Sequence, residues 1–136
     1  MSVGLAFGAT KQFEKDLKRL SKRYKLLFDD IEPVVHSIKA GERVGTLLTQ
    51  VGCFESFKVR IANTSINKGK SGGFRLIYAY FEGKQRDAVI ALALYCKQDV
   101  ATIKDKDLIR LIAEAQDVLA SIDPSAFEGE EFHQQP

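Results

Sequence analysis

Residues 88 to 95 read Ala-Val-Ile-Ala-Leu-Ala-Leu-Tyr, an almost unbroken apolar run. It is far too short for a membrane-crossing helix, which takes about 20 residues, and it suits a central strand covered on both faces. The chain must therefore build a sheet and lay other elements over both of its sides.

Two helical stripes precede it. Phe13, Leu17, Leu20 and Tyr24 recur at helical spacing behind Thr10, a capping residue, while Lys11, Lys15, Lys18, Arg19, Lys22 and Arg23 fill the remaining surface. A second series, Leu27, Phe28, Ile31, Val34, Val35 and Ile38, keeps that period and stops at Gly41. Pro33 interrupts it. An interior proline removes an amide donor and crowds the preceding turn, so a kink is expected there, the alternative being a restart with Pro33 in a first turn. Only a few residues around Tyr24 separate the stripes, which predicts a helical hairpin.

After the glycines at 41, 45 and 52, which mark a loop, the period changes to two. In Phe57-Lys58-Val59-Arg60-Ile61 the apolar side chains point one way, and Lys58 and Arg60 point the other. Asn63 to Gly73, with Gly69, Gly72 and Gly73, suits a mobile hairpin connection, and Phe74 to Phe81 reads as a strand. Val3 to Phe7 reads as a short first strand. Lys106 to Ser121 carries a stripe of Leu108, Leu111, Ile112, Ala115 and Leu119, with Asp105 or Asp107 in place to cap it. This order predicts an α+β domain over residues 1 to 122: an N-terminal strand and helical hairpin on a small, mainly antiparallel sheet, plus a C-terminal helix. Residues 123 to 136, with Pro124, Glu128, Glu130 and Glu131 and no Lys or Arg, read as a disordered acidic tail.

Composition narrows the class. With 136 residues, 45% apolar and 28% charged, the chain fits one domain with one core. Nothing at its start pairs basic residues with a long apolar run, so the cytoplasm is the expected compartment and no membrane is expected as a partner. Cys53 and Cys96 lie in no metal-ligand or redox motif and read as free thiols. The net charge of +2 hides an asymmetry: residues 1 to 104 hold eighteen Lys/Arg against ten Asp/Glu, and the remainder two against eight. A basic body favours phosphate-rich partners without identifying one.

From Lys58 to Arg75 the chain holds Lys58, Arg60, Lys68, Lys70 and Arg75 and no acid. Lys58, Arg60 and Arg75 can converge if the strand register is suitable, and Lys97 ends the following strand. Clustered cations neutralise a phosphodiester and stabilise the added charge of its pentavalent transition state. They also disfavour protonated lysine, which lets a lysine accept a proton from a ribose 2′-hydroxyl, whereas arginine serves only as a charge stabiliser. The same residues also fit a basic binding patch without catalysis. His36, on the second helix, and His133, in the tail, do not make a histidine-pair ribonuclease. The segment from Lys68 to Gly73 is followed by a strand instead of a helix and is not a nucleotide-binding phosphate loop. Tyr78, Tyr80 and Phe81 read as core.

Four segments carry a resemblance over roughly residues 3 to 120. These are Phe57-Lys58-Val59-Arg60-Ile61-Ala62, the loop Lys68-Gly69-Lys70-Ser71-Gly72-Gly73, the strand Phe74-Arg75-Leu76-Ile77-Tyr78, and Leu92 to Asp99, with the Phe13 to Lys18 helix in support. Together they resemble the RelE/ParE toxins, nearest the RelE and HigB-like branch. The resemblance implies a metal-independent endoribonuclease, without a cofactor, that cuts messenger RNA in the ribosome by 2′-hydroxyl attack and is silenced by a cognate antitoxin. By position it implies Lys58 as proton acceptor, Arg60 beside it, Arg75 as the phosphate-stabilising arginine, Lys97 at another basic active-site position, and Lys68 and Lys70 as RNA contacts. One position departs: Ile103 stands where some RelE enzymes have a tyrosine, and Tyr95 takes its place only if strand geometry allows. The ParE branch implies a different outcome, inhibition of DNA gyrase without chemistry, and a decayed toxin would bind its antitoxin alone.

Overall fold

A computed structural model describes residues 5 to 100 and 102 to 127. The elements are β1 (Leu5–Ala9), α1 (Lys11–Arg23), α2 (Leu27–Lys39), β2 (Thr46–Val51), β3 (Phe54–Ile61), β4 (Phe74–Phe81), β5 (Asp87–Cys96) and α3 (Asp105–Ile122), with short 3-10 turns at Thr64–Ile66, Lys70–Gly72 and Pro124–Phe127. The five strands form one mixed sheet in the order β1-β5-β4-β3-β2, in which β1 runs parallel to β5 and the other neighbours are antiparallel. The architecture is α+β, as the sequence order indicates.

The apolar run sits in β5, flanked on both sides by strands and buried from Ala88 to Cys96. Leu20, Tyr24, Leu27, Ile31 and Ile38 from α1 and α2 pack with Phe57, Val59, Ile61, Leu76 and Tyr78 on one face. Leu108, Leu111, Ile112, Ala115 and Leu119 from α3 pack with Phe54, Ile77, Ala79 and Ile90 on the other. Alternation along the strands thus serves two apolar layers, which is why β4 and β5 carry almost no polar residue. No helix among the described residues is long and apolar enough to cross a membrane.

Several elements differ from expectation. Residues 46 to 51, taken as loop, form β2, paired with β3 through the turn at Gly52 and Cys53, and β3 begins at Phe54. The glycines bound this strand; at Gly45, with φ +100°, a Cβ would meet the Lys58 carbonyl. α2, by contrast, runs through Pro33 as one helix, in line with the expectation and not with the restart; Asp29 and Pro33 are both exposed, so the carbonyl left without an amide partner lies on the solvent side. Lys104 caps α3 with no side-chain bond, and Asp105 and Asp107 lie in its first turn, where they favour the helix dipole instead. The chain past α3 stays attached: Asp123 is buried, bonded to Arg86 at 3.2 Å and to the Ser125 hydroxyl at 2.7 Å. The tail from residue 128, and Val3 in the expected first strand, lie outside the described residues.

Candidate functional site

The end of α1 nearest the sheet is fixed by one residue. The Thr10 side chain accepts the Phe13 amide at 3.0 Å as an N-cap, donates to the Leu92 carbonyl at 2.7 Å, and its backbone amide donates to Ala91 at 3.0 Å. These bonds meet β5 at an irregularity: Ile77 pairs with Ala93 but Tyr78 pairs with Ala91, leaving Leu92 as an extra residue. The spare Leu94 amide finds Asp16, buried in α1, whose carboxylate accepts it at 3.0 Å and is itself held by Gln12 and Arg19. The bulge reverses the phase of β5. Ala88, Ile90 and Leu92 face α3, and beyond the extra residue it is Ala93 and Tyr95 that do so.

That phase shift completes a row. Arg60 of β3 is the register partner of Arg75 of β4, and Arg75 is the partner of Tyr95 of β5. Lys58 lies two residues from Arg60, opposite Ile77, so Lys58, Arg60, Arg75 and Tyr95 share the α3-side face of the sheet. Arg60 is exposed and Lys58 half-buried. Arg75 differs from the open phosphate contact expected of it: it is 4% exposed. Its guanidinium donates to the carbonyls of Lys70 and Ser71, both at 2.9 Å, and of Phe74 at 3.2 Å. Burial, and then the facing Arg60 charge, draw Arg75 below the ordinary arginine range, with Tyr95 opposing.

These bonds arrange the loop. Its start is tied to the helical hairpin by Asp30, which accepts the Thr64 amide and hydroxyl at 3.0 and 2.7 Å, and by Ser65, whose hydroxyl accepts the Leu26 amide at 3.0 Å. Its end is tied by Arg75, by Gln98 donating to the Gly72 carbonyl at 2.9 Å, and by the Lys97 amide donating to Gly73 at 3.0 Å. Gly73 leaves no room for a side chain, since a Cβ there would run into the Ile61 carbonyl. Lys68, Lys70 and Lys97 are all exposed, with Lys97 one residue past β5 and its backbone joined to the end of the loop. The loop is pinned at both ends, where the sequence suggested mobility.

Ion pairing separates the arginines at this end from those on the rest of the surface. Arg19, Arg23, Arg43, Arg86 and Arg110 each pair with a carboxylate, and among the described residues Arg60 and Arg75 do not. No lysine pairs with a carboxylate among the described residues, Lys58, Lys68, Lys70 and Lys97 included, so the distinction lies in the arginines. The site therefore holds uncompensated positive charge, with two arginines directly opposed across a strand pair, an unfavourable placement that an anion relieves.

Two hollows flank α1 and α3. One of about 760 Å³ lies between the start of α1 and the end of α3, and one of about 350 Å³ reaches Ala93, Tyr95 and Ile103. Neither is lined by Lys58 or Arg60, so the cations stand on an open face beside a hollow and not inside one. Among the described residues no group of three or more His, Cys, Asp or Glu is placed to hold a metal ion, His36 is exposed, and both cysteines are free.

Sequence reasoning singled out the six basic residues and did not point to Asp16, Gln98 or the bulge at Leu92. Asp16 had a faint signal, since it precedes the buried Leu20 by four residues and so lies on the stripe side of α1. In comparisons with family models, curated proteins and solved structures, the chain matches none.

Proposed function

We propose that the chain is a metal-independent endoribonuclease of the toxin type, cutting ribosome-bound messenger RNA and held inactive by an antitoxin. The observation that supports this most is the opposed pair Arg60 and Arg75, the arginines left without a carboxylate among the described residues, on one face with Lys58.

In this reading the exposed Arg60 grips the scissile phosphate, and Lys58 accepts the proton of the ribose 2′-hydroxyl as that oxygen attacks phosphorus. The bond from phosphorus to the 5′-oxygen breaks, a 2′,3′-cyclic phosphate remains, and a neighbouring ammonium returns a proton to the leaving oxygen, Lys97 being the cation at the end of β5. Arg75 adds field from beneath and positions the loop that carries Lys68 and Lys70 along the RNA backbone. Ile103 has no proton to give.

The test adds purified protein to a translating extract and maps cuts in the message by primer extension. Cuts confined to ribosome-occupied codons, lost in Lys58→Ala and Arg60→Ala, are expected. Intact message with blocked DNA supercoiling by gyrase would replace this reading with the inhibitor one.

A further inference from the structure

We propose that the 350 Å³ hollow between α1, β5 and α3 receives the unstacked base of the nucleotide whose phosphate meets Arg60, and so sets which nucleotides are cut. The inference rests on the ribonuclease reading and adds to it a site for the base.

Position comes first. Tyr95 belongs both to the row Arg60–Arg75–Tyr95 and to the wall of the hollow. Neighbouring strands are about 4.8 Å apart, so the hollow opens one strand beyond Arg75, on the sheet face that Arg60 shares. The bulge at Leu92 is what turns Tyr95 toward this side.

The lining has the chemistry of a base site. Ala93, Ile103 and Leu111 give an apolar floor beside the Tyr95 ring, and aromatic rings of this kind stack on RNA bases. A volume of about 350 Å³ falls at the small end of ligand sites, suited to one flat group. Arg19 and Arg110 at the rim are paired with Asp16 and Asp107, which leaves Lys104 as the unpaired cation there. The Tyr95 hydroxyl is sealed from water beside the Ile103 backbone, so it is the ring and not the hydroxyl that Tyr95 offers to the hollow. The 760 Å³ hollow is a poorer candidate, because no aromatic ring lines it and Glu14, Glu114 and Asp117 there balance Lys11, Lys15 and Arg110.

The experiment is an amide-resolved NMR titration of the full chain with ribose 5-phosphate and, separately, with each of the four ribonucleoside 3′-monophosphates. The expected result is that ribose 5-phosphate moves amides around Arg60 and Gly73 alone, while one or two nucleotides also move Ala93, Ile103 and Leu111. Thr102→Trp, which places a bulky ring at the exposed mouth, should weaken the preferred nucleotide by about tenfold, the worth of one stacked base, and leave ribose phosphate unchanged. If all five ligands disturb only the cation face, the base site is overturned and the phosphate reading stands. Shifts in the hollow with none near Arg60 would keep the base site and overturn the phosphate reading. Silence at both places overturns both.

Discussion

The Arg75 guanidinium donates to the Ser71 carbonyl at 2.9 Å, so an arginine that is 4% exposed holds the basic loop against the strand that follows it. Hydrogen bonds from a charged donor are worth about 1.5–3 kcal/mol each, and three carbonyls depend on this one side chain. Arg75→Ala should therefore speed hydrogen exchange at residues 70 to 73 by about tenfold or more and lower cleavage. Arg75→Lys, which keeps a charge but not the planar fork, should recover little of either. Unchanged exchange in Arg75→Ala would remove its positioning role.

Asp16 supports the site from a distance. Its carboxylate meets the Leu94 amide that the bulge leaves without a strand partner. Asp16→Ala strands that amide in the interior and should cost about 2–3 kcal/mol of stability, read as a lower urea midpoint. The Tyr95 ring resonances should also move, because the bulge determines which way that ring faces. A stability loss with Tyr95 unmoved would separate the bulge from the site.

Burial of the tyrosines predicts a response to alkali. Burial pushes Tyr80 up to about 12, aided by its hydroxyl bond to Asp87 at 2.6 Å, and Tyr78, Tyr24 and Tyr95 are raised as well, burial being the largest cause in each. The unfolded chain ionises these groups near pH 10 while the folded chain keeps them protonated. Stability is then fully present below about pH 10 and falls as pH rises toward the folded values, by up to about 1.4 kcal/mol per pH unit for each such group. Urea midpoints should decline above pH 10, and less steeply in Tyr80→Phe. Parallel curves would show that Tyr80 ionises alike in both states.

Asp123 gives the opposite sign. Its hydrogen bond from Ser125 and its pairing with Arg86 hold its carboxyl below the usual range, against the effect of burial. A depressed carboxylate stabilises the fold above its unfolded value, near pH 4, and that contribution is lost as pH falls through the folded value. Asp123→Asn should lower stability at pH 7 and reduce the acid dependence between about pH 4 and pH 2. An acid limb identical in both proteins would deny the residue this role.

How much of this was readable depends on the residue. β4 was legible over its full length because Phe74 to Phe81 is apolar and aromatic at every position but Arg75, and Thr10 was legible as a cap because its helix begins one residue later. The shared face of Lys58 and Arg60 follows from alternation alone. That Arg75 lies opposite Arg60 does not, since register depends on how the chain from Asn63 to Gly73 folds back, through two 3-10 turns and bonds to Asp30 and Gln98. β2 was hidden because Thr46 to Val51 is an edge strand of mixed exposure, with no clean alternation, between two positive-φ glycines. Tyr95 was readable as a residue but not as a neighbour of Arg75, because one extra residue in β5 reverses its direction.

The central claim, that Arg60 grips a phosphate while Lys58 takes the proton of the attacking 2′-hydroxyl, is tested most directly by single-turnover cleavage of ribosome-bound message. Rates would be compared between the unmodified chain, Arg60→Ala, Lys58→Ala and a surface control, Arg23→Ala. Losing one stabilising donor at a charged transition state costs about 10²–10³ in rate, so falls of that order are expected for Arg60→Ala and Lys58→Ala, with the control unchanged. Equal rates in all four proteins would contradict the account.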